Sequence, residues 1–397
     1  MFRFYALLIS VLLPYTSYAQ TNLPIIRATS KNVAIRDGDF LDKEGWSLSP
    51  GLRPDVYTAD RSRKPKWVVF YTDVDSIRTR VVPGSSFDFV ILLNGKDSCF
   101  TRIESAIPPA TAPAPRRPTH DTIPFTLSAH NAIHVRAILN ERDTLSLHFD
   151  TGSFDFRLTH DAILKRTNLL ANQPDALAGK AKPVFSKMEK VRLFRLGKLN
   201  FANPTVVPTL LTAHGMDGRF GWNLFEGKVV EIDYDKELLI IHSERPKHAR
   251  TYQKTELDFL RSFPCMKGTL QVAGRQLTGW FSLDTGSDKA LILDSVWVRK
   301  QGFPTDLPLI RETSLRNPRG EVFVTKTVRC PGFSMANLSL KDPPATLLVS
   351  RNPANFEINF LGNDILKRFN TILDFQNDLA YLKPNRHYTA PFLEMAK

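Results

Sequence analysis

Phe149-Asp150-Thr151-Gly152-Ser153 recurs further along the chain as Leu283-Asp284-Thr285-Gly286-Ser287. Apolar residues lead into and out of both copies. Leu145, Leu147 and Phe149 precede the first aspartate, and Phe156 and Leu158 follow it. Trp280, Phe281 and Leu283 precede the second, and Ala290 to Leu293 follow. A single Asp-Thr-Gly says little, because Asp and Gly are both turn formers and often meet in loops. Two copies, each set between strand-like runs, are a specific signal, and each is read as half of one active site.

The recurrence extends outward in both directions. From about residue 120 the chain reads as two versions of one unit, a hidden repeat. Phe220-Gly221-Trp222-Asn223-Leu224-Phe225 answers Leu361-Gly362-Asn363-Asp364-Ile365-Leu366. Ile232-Asp233-Tyr234 followed by Leu238 answers Leu373-Asp374-Phe375 followed by Leu379. Both Gly221 to Gly362 and Asp233 to Asp374 span 141 positions, whereas Asp150 to Asp284 spans 134. A constant spacing at the end with seven residues gained before it fits a duplication with a loop insertion. Asp235-Lys236-Glu237 and Gln376-Asn377-Asp378 lie near the turns of closing hairpins. Gly221 and Gly362 sit where a backbone must pass close to the aspartate loop, or else they end a strand. Short strands, frequent turn signals and few long helical patterns predict an all-β protein.

The chain of 397 residues is long enough for two or three domains, and its 42% hydrophobic and 23% charged residues are those of a folded protein. Residues 1–19 read as a signal peptide. Arg3 supplies the positive start, Tyr5 to Leu13 the short apolar run, and Ser17-Tyr18-Ala19 the cleavage site. The apolar run is shorter than a membrane span needs. Export to the periplasm or outside the cell is expected, with no membrane span after signal removal. Without Arg3, 52 basic residues oppose 40 acidic ones, a net charge of +12. The basic residues are scattered, which reads as a solvated surface, and nucleic-acid binding is not expected.

Residues 20–105 read as a small β-rich accessory domain, with strands at Trp67–Tyr71, Ile77–Val82 and Phe87–Leu93. Asn94-Gly95, between Phe87–Leu93 and Phe100–Ile103, is a hairpin signal. A pro-segment is the competing reading. Such segments are often basic and lie over an acidic cleft, and here the following portion is itself basic. Residues 106–119 are a Pro- and Ala-rich linker, exposed at Arg116-Arg117. The repeat units occupy residues 120–243 and 255–385, joined by a polar connector at 244–254. Of the three cysteines, Cys265 and Cys330 could pair in an oxidising compartment, which would leave Cys99 odd. Metal-ligand spacing is absent.

Asp-Thr-Gly-Ser twice, each followed by an apolar-apolar-Gly, resembles the aspartic proteases, the pepsin and retropepsin superfamily. The resemblance covers roughly residues 120 to 385. The 69 positions from Gly152 to Gly221 and 76 from Gly286 to Gly362 look like retropepsin protomers fused in one chain, and the whole is similar to bacterial exported proteins of retropepsin-like type. It implies a bilobal acid-protease fold, two related β-barrel lobes preceded by the small β-rich N-terminal domain. It implies Asp150 and Asp284 as the catalytic pair and Thr151 and Thr285 as residues that cross-link the two loops. Gly152 and Gly286 would allow close approach, and Ser153 and Ser287 would donate to the aspartate oxygens. The substrate would be a peptide or protein, no cofactor would be needed, and both lobes in one chain would make a homodimer unnecessary. Arg219 departs from the pattern, standing where an aliphatic residue is usual. Gly179 to Ser186 and Asn317 to Val322 are candidate flaps.

Hydrolysis of a peptide by water needs a base to take a proton from the water and an acid to protonate the substrate. Two neighbouring carboxyls that share one proton supply both, and the aspartic proteases are themselves the standard example. Other residues receive plainer readings. His148, two before Asp150, has Ser282 as its counterpart and reads as structural, while His214 reads as a loop residue. Asp155 and Asp288 read as solvated loop charges that could tune the site, and Asp233 and Asp374 as turn or strand-end residues. An inactive relative using the cleft as a peptide-binding module is the alternative function. A two-carboxylate glycosidase is a third, disfavoured because its acid and base normally occupy unlike settings.

Overall fold

A computed structural model describes residues 23–109, 118–304, 306–316, 322–348, 352 and 356–395. The residues read as a signal peptide, Arg116-Arg117 and most of the candidate flap at Asn317 to Val322 lie outside the described residues. Strands make up 50% of the described residues and helix 11%, so the all-β expectation holds. Among the described residues no helix is long and apolar enough to cross a membrane. The chain divides into two compact units, Met1–Pro109 and Ala110–Lys397.

The first unit holds two four-stranded sheets. Alternate residues of Asn32–Asp37 and Asp97–Ser105, with buried runs in Lys66–Tyr71 and Ser86–Leu93, bring Val33, Ile35, Phe70, Phe89, Ile91 and Ile103 into one core. Ser86–Leu93 and Asp97–Ser105 form the hairpin expected around Asn94-Gly95. Both turn residues have left-handed φ, 54° and 66°, as the tight turn requires.

In the second unit, each half of the repeat builds a sheet around its aspartate. The first half contributes β1 (Ile133–Leu139), β2 (Asp143–Asp150), β3 (Phe156–Thr159) and β4 (Gly218–Gly221), inside an eight-stranded sheet. Its closing hairpin is β5 (Val229–Asp233) and β6 (Leu238–His242). The second half contributes β7 (Phe263–Val272), β8 (Arg275–Asp284), β9 (Leu291–Leu293), β10 (Leu309–Arg316), β11 (Val322–Arg329) and β12 (Asn359–Gly362), inside a ten-stranded sheet. Its closing hairpin is β13 (Phe369–Asp374) and β14 (Leu379–Pro384).

The two halves agree in register. β2 pairs with β4 in parallel, setting Asp150 opposite Gly221, and β8 pairs with β12 in parallel, setting Asp284 opposite Gly362. The spacing of the matched motifs therefore reflects a pairing common to both halves. The close-approach reading of the glycines is the correct one. A Cβ on Gly221 would stand 2.1 Å from the Ser153 carbonyl oxygen, and one on Gly362 would stand 2.1 Å from that of Lys289.

Both closing hairpins enter one six-stranded sheet, in which β5 and β13 pair antiparallel from Val229↔Asp374 to Ile232↔Thr371. Asp233 and Asp374 cap the hairpin turns as read. Asp233 accepts from the Lys236 N–H, and Asp374 from those of Gln376 and Asn377. One continuous core runs through both halves, including Phe149, Phe220, Trp222, Phe281, Phe333 and Phe369. The halves are also tied by polar contacts. Trp222 Nε1 donates to the Ser262 carbonyl at 3.0 Å, and the Tyr234 hydroxyl donates to Asn363 Oδ1 at 2.6 Å.

Two readings left open by the sequence meet the structure here. Gly179 to Ser186 forms no strand pair; it is loop leading into a short 3₁₀ turn at Phe185–Lys187, held by Gln173, which bonds Val184 through both ends of its amide. In the second half, by contrast, β10 and β11 pair antiparallel from Leu309↔Val328 to Arg316↔Val322, and most of the other candidate lies outside the described residues. The cysteines do not pair: Cys99, Cys265 and Cys330 are all buried and free. The Cys265 and Cys330 thiols lie against backbone carbonyls of their own segments, at Phe263 and Gly332.

Candidate active site

β2 is the central strand that carries the first aspartate. Leu145, Leu147 and Phe149 point into the core, so Ser146, His148 and Asp150 share the other face. The strand stops at Asp150 because Thr151-Gly152 turns away, with the Ser153 N–H donating to the Asp150 carbonyl at 3.1 Å. β8 ends in the same way, with the Ser287 N–H donating to the Asp284 carbonyl at 3.2 Å.

The two loops meet. The Thr151 N–H donates to Thr285 Oγ1 at 3.0 Å, and the Thr285 N–H donates to Thr151 Oγ1 at 3.1 Å. Each hydroxyl then donates across to the other strand, Thr151 to the Leu283 carbonyl and Thr285 to the Phe149 carbonyl, both at 2.8 Å. Both threonines are 1% exposed, so these bonds form away from water. They place the carboxyls of Asp150 and Asp284 within hydrogen-bonding reach of each other.

Gly152 and Gly286 make that approach possible. A Cβ on Gly152 would lie 2.9 Å from Asp284 Cγ, and one on Gly286 would lie 2.8 Å from Asp150 Cγ. Their N–H groups also serve the carboxyls symmetrically. Gly152 donates to Asp150 Oδ1 at 2.9 Å, and Gly286 donates to Asp284 Oδ1 at 3.1 Å.

The symmetry ends at the outer oxygens. Arg219, on β4 opposite His148, donates from Nη1 to Asp150 Oδ2 at 3.1 Å, and its Nη2 lies 3.5 Å from Asp155 Oδ1. The departure noted at Arg219 is therefore electrostatic, with a guanidinium against one of the two aspartates. Ser153 donates elsewhere than the resemblance implied. The Ser153 hydroxyl donates to Asp155 at 2.7 Å, and Ser287 Oγ accepts from the Lys289 N–H. Asp155 is nearer to being the serine's partner because it closes the same short loop, and it is held in turn by Arg157 Nε at 2.5 Å. It is thus an ion-paired member of the site, not a solvated charge. Asp288 is half-exposed and lies 3.8 Å from His130 Nδ1.

Burial drives both carboxyls of the pair upward from the usual carboxylate range. For Asp284, burial and then the neighbouring Asp150 charge push the value to about 8. For Asp150, burial raises it while the Arg219 charge pulls it back. Two carboxyls this close and this buried favour holding one proton between them, and the Arg219 guanidinium lies against Asp150. Such a pair can remove a proton from a water and deliver one to a substrate oxygen.

Two histidines flank the pair. His148 is 1% exposed, and neither ring nitrogen has a hydrogen-bond partner among the described residues. Burial, helped by the charges of His214, Arg219 and His134, lowers it to about 3, so it is neutral and structural as read. His214 sits in the turn Ala213–Gly215 with a left-handed φ of 64°. Its Nε2 lies 2.9 Å from the Gly286 carbonyl oxygen, so the turn braces the loop of the opposite half. The loop reading of His214 missed this contact, and no spacing in the sequence announces it.

No protein-family model matches this chain, and no curated protein matches its sequence.

Proposed function

We propose that this chain is an exported aspartic endopeptidase, with the bilobal acid-protease arrangement and with Asp150 and Asp284 as its catalytic pair. The observation that carries this reading is the double cross-link of Thr151 and Thr285, which brings two buried carboxyls together to share a proton. A water held between the carboxyls would lose a proton to the ionised one and attack the scissile carbonyl carbon. The protonated carboxyl would donate to the carbonyl oxygen, giving a tetrahedral diol. Return of a proton to the amide nitrogen would then allow the C–N bond to break. A peptide or protein is the substrate under this reading, and both carboxyls come from one chain. The leader read at residues 1–19 supports export.

Arg219 favours a second reading, a peptide-binding relative that does not hydrolyse, because a guanidinium against Asp150 competes with the water for that carboxylate. The deciding experiment uses the mature chain on a mixed peptide library, with Asp150→Asn and Asp284→Asn as controls. Each substitution is expected to lower cleavage at least about 10³-fold, near the range for loss of a general acid or base, and to leave the fold intact by circular dichroism. Substantial activity in either variant sinks the pair assignment. Peptide binding without cleavage from acid to neutral pH favours the second reading.

A further inference from the structure

We propose that Arg219 is the positioning residue that tells the two aspartates apart, holding Asp150 in the ionised form as base and leaving the shared proton on Asp284 as acid. This inference rests on the endopeptidase reading for its roles of acid and base, but the asymmetry itself stands on geometry.

The two halves supply the same groups to their aspartates with this exception. Each aspartate has a glycine N–H on Oδ1, a threonine cross-link beneath it and a glycine opposite it on the parallel strand. In the first half, the position opposite His148 is Arg219. In the second half, the matching position opposite Ser282 is Phe360. The partner of Arg219 is exchanged as well. Gly221 N–H donates to the Asp155 carbonyl, and Gly362 N–H donates to the Ala290 carbonyl, which makes Ala290 the counterpart of Asp155. A charged pair in one half thus faces an apolar pair in the other.

The rest of the surroundings leave Arg219 directed at Asp150. On the first aspartate's loop, Asp155 is already bonded by Ser153 and by Arg157 of β3. Arg219 lies closer to Asp150, at 3.1 Å, than to Asp155, at 3.5 Å. Behind it on β2, His148 is buried and neutral, and His134 of β1 faces His148 across the sheet. The opposite half brings up Asp284, while His214, from the same half as Arg219, is engaged by the Gly286 carbonyl. Asp288 lies against His130. Among the described residues Arg219 is therefore the cation in contact with the pair, and its hydrogen bond goes to Asp150.

An opposite charge at this distance favours the ionised carboxylate by about one to three pH units. Removing it makes Asp150 bind its proton more readily, so the second protonation of the pair, which ends the singly protonated form on the acid side, moves to higher pH. The test is a carboxyl-carbon NMR titration of the mature chain labelled with ¹³C at aspartate, with Asp150→Asn and Asp284→Asn used to assign the signals. In the unsubstituted protein Asp150 is expected to ionise at lower pH than Asp284. In Arg219→Met its midpoint is expected to rise by about one to three pH units, with Arg219→Lys restoring much of the shift. The acid limb of kcat/KM against pH should move upward by the same amount. Should Arg219→Met not fold, Arg219→Gln provides the same neutral replacement. Ionisation of Asp284 before Asp150, or an Asp150 midpoint unmoved by the neutral variants, overturns the proposal. The stated order and shift without cleavage of any peptide would overturn the endopeptidase reading and leave the role of Arg219 standing.

Discussion

Thr151 and Thr285 each donate a backbone N–H to the other's hydroxyl, and each hydroxyl donates onward to a carbonyl of the opposite strand. Four buried backbone groups are satisfied by two side chains. Replacing Thr151 with Val keeps the shape and removes the hydroxyl, stranding the Thr285 N–H and the Leu283 carbonyl. At about 1–3 kcal/mol for each buried group left unpaired, the expected loss is about 2–6 kcal/mol. Thr285→Val should cost a similar amount, and Thr151→Ser much less. Urea unfolding of the three variants checks this, and equal midpoints for Val and Ser would refute the cross-link as a stabilising element.

Gly221 and Gly362 face backbone, not side chains that could swing away. A Cβ at either site would stand 2.1 Å from a carbonyl oxygen, so the strand or the aspartate loop must shift. We expect Gly221→Ala and Gly362→Ala each to cost about 3 kcal/mol, at the upper end of the range for overpacking. Both should also lower activity, because the displaced loop carries a carboxyl of the pair. Gly51 has open space where its Cβ would be, and Gly51→Ala should change stability by less than about 0.5 kcal/mol. Thermal melting separates the two classes.

How much of this could be read beforehand depends on whether a contact follows from local spacing. The threonine cross-link and the close-approach glycines sit at fixed steps from each aspartate, and the repeat displays every step twice. The closing hairpins at Asp233 and Asp374 were legible for the same reason, since an aspartate capping its own turn acts within three residues. Arg219 was visible only as a departure. Its contact with Asp150 arises because β2 and β4, far apart in sequence, pair in parallel at one register. The Gly286 contact of His214 depends on a left-handed turn packing against the other half, which no periodicity encodes. Ser153 was misassigned because Asp155, two residues away, competes for its hydroxyl.

The three thiols are free and buried, and burial pushes Cys265 up to about 12 and Cys330 up to about 11, with Cys99 also raised. The thiolate is the reactive form, so the folded protein should react very slowly with a thiol-specific reagent at pH 8. Three thiols should react at once after unfolding in guanidinium. A reductant should leave the melting temperature unchanged. Fewer than three thiols in the unfolded, unreduced chain would mean that a disulfide forms after all.

Asp284 carries the clearest pH signature for stability. Burial, then the Asp150 charge, raises it to about 8 in the folded chain, against about 3.9 for an exposed aspartate. Between those values the folded state binds a proton that the unfolded state has released, so stability must fall as pH rises. The contribution is complete below pH 4 and is lost progressively as pH rises towards and through 8. Asp284→Asn removes the titration while keeping a neutral group of similar shape. The variant is therefore expected to hold its melting temperature better than the unsubstituted protein from pH 5 to pH 8, with the gap widening as pH rises. Differential scanning calorimetry across that range measures it. Parallel curves for the two proteins would show that the shared proton does not reside on Asp284.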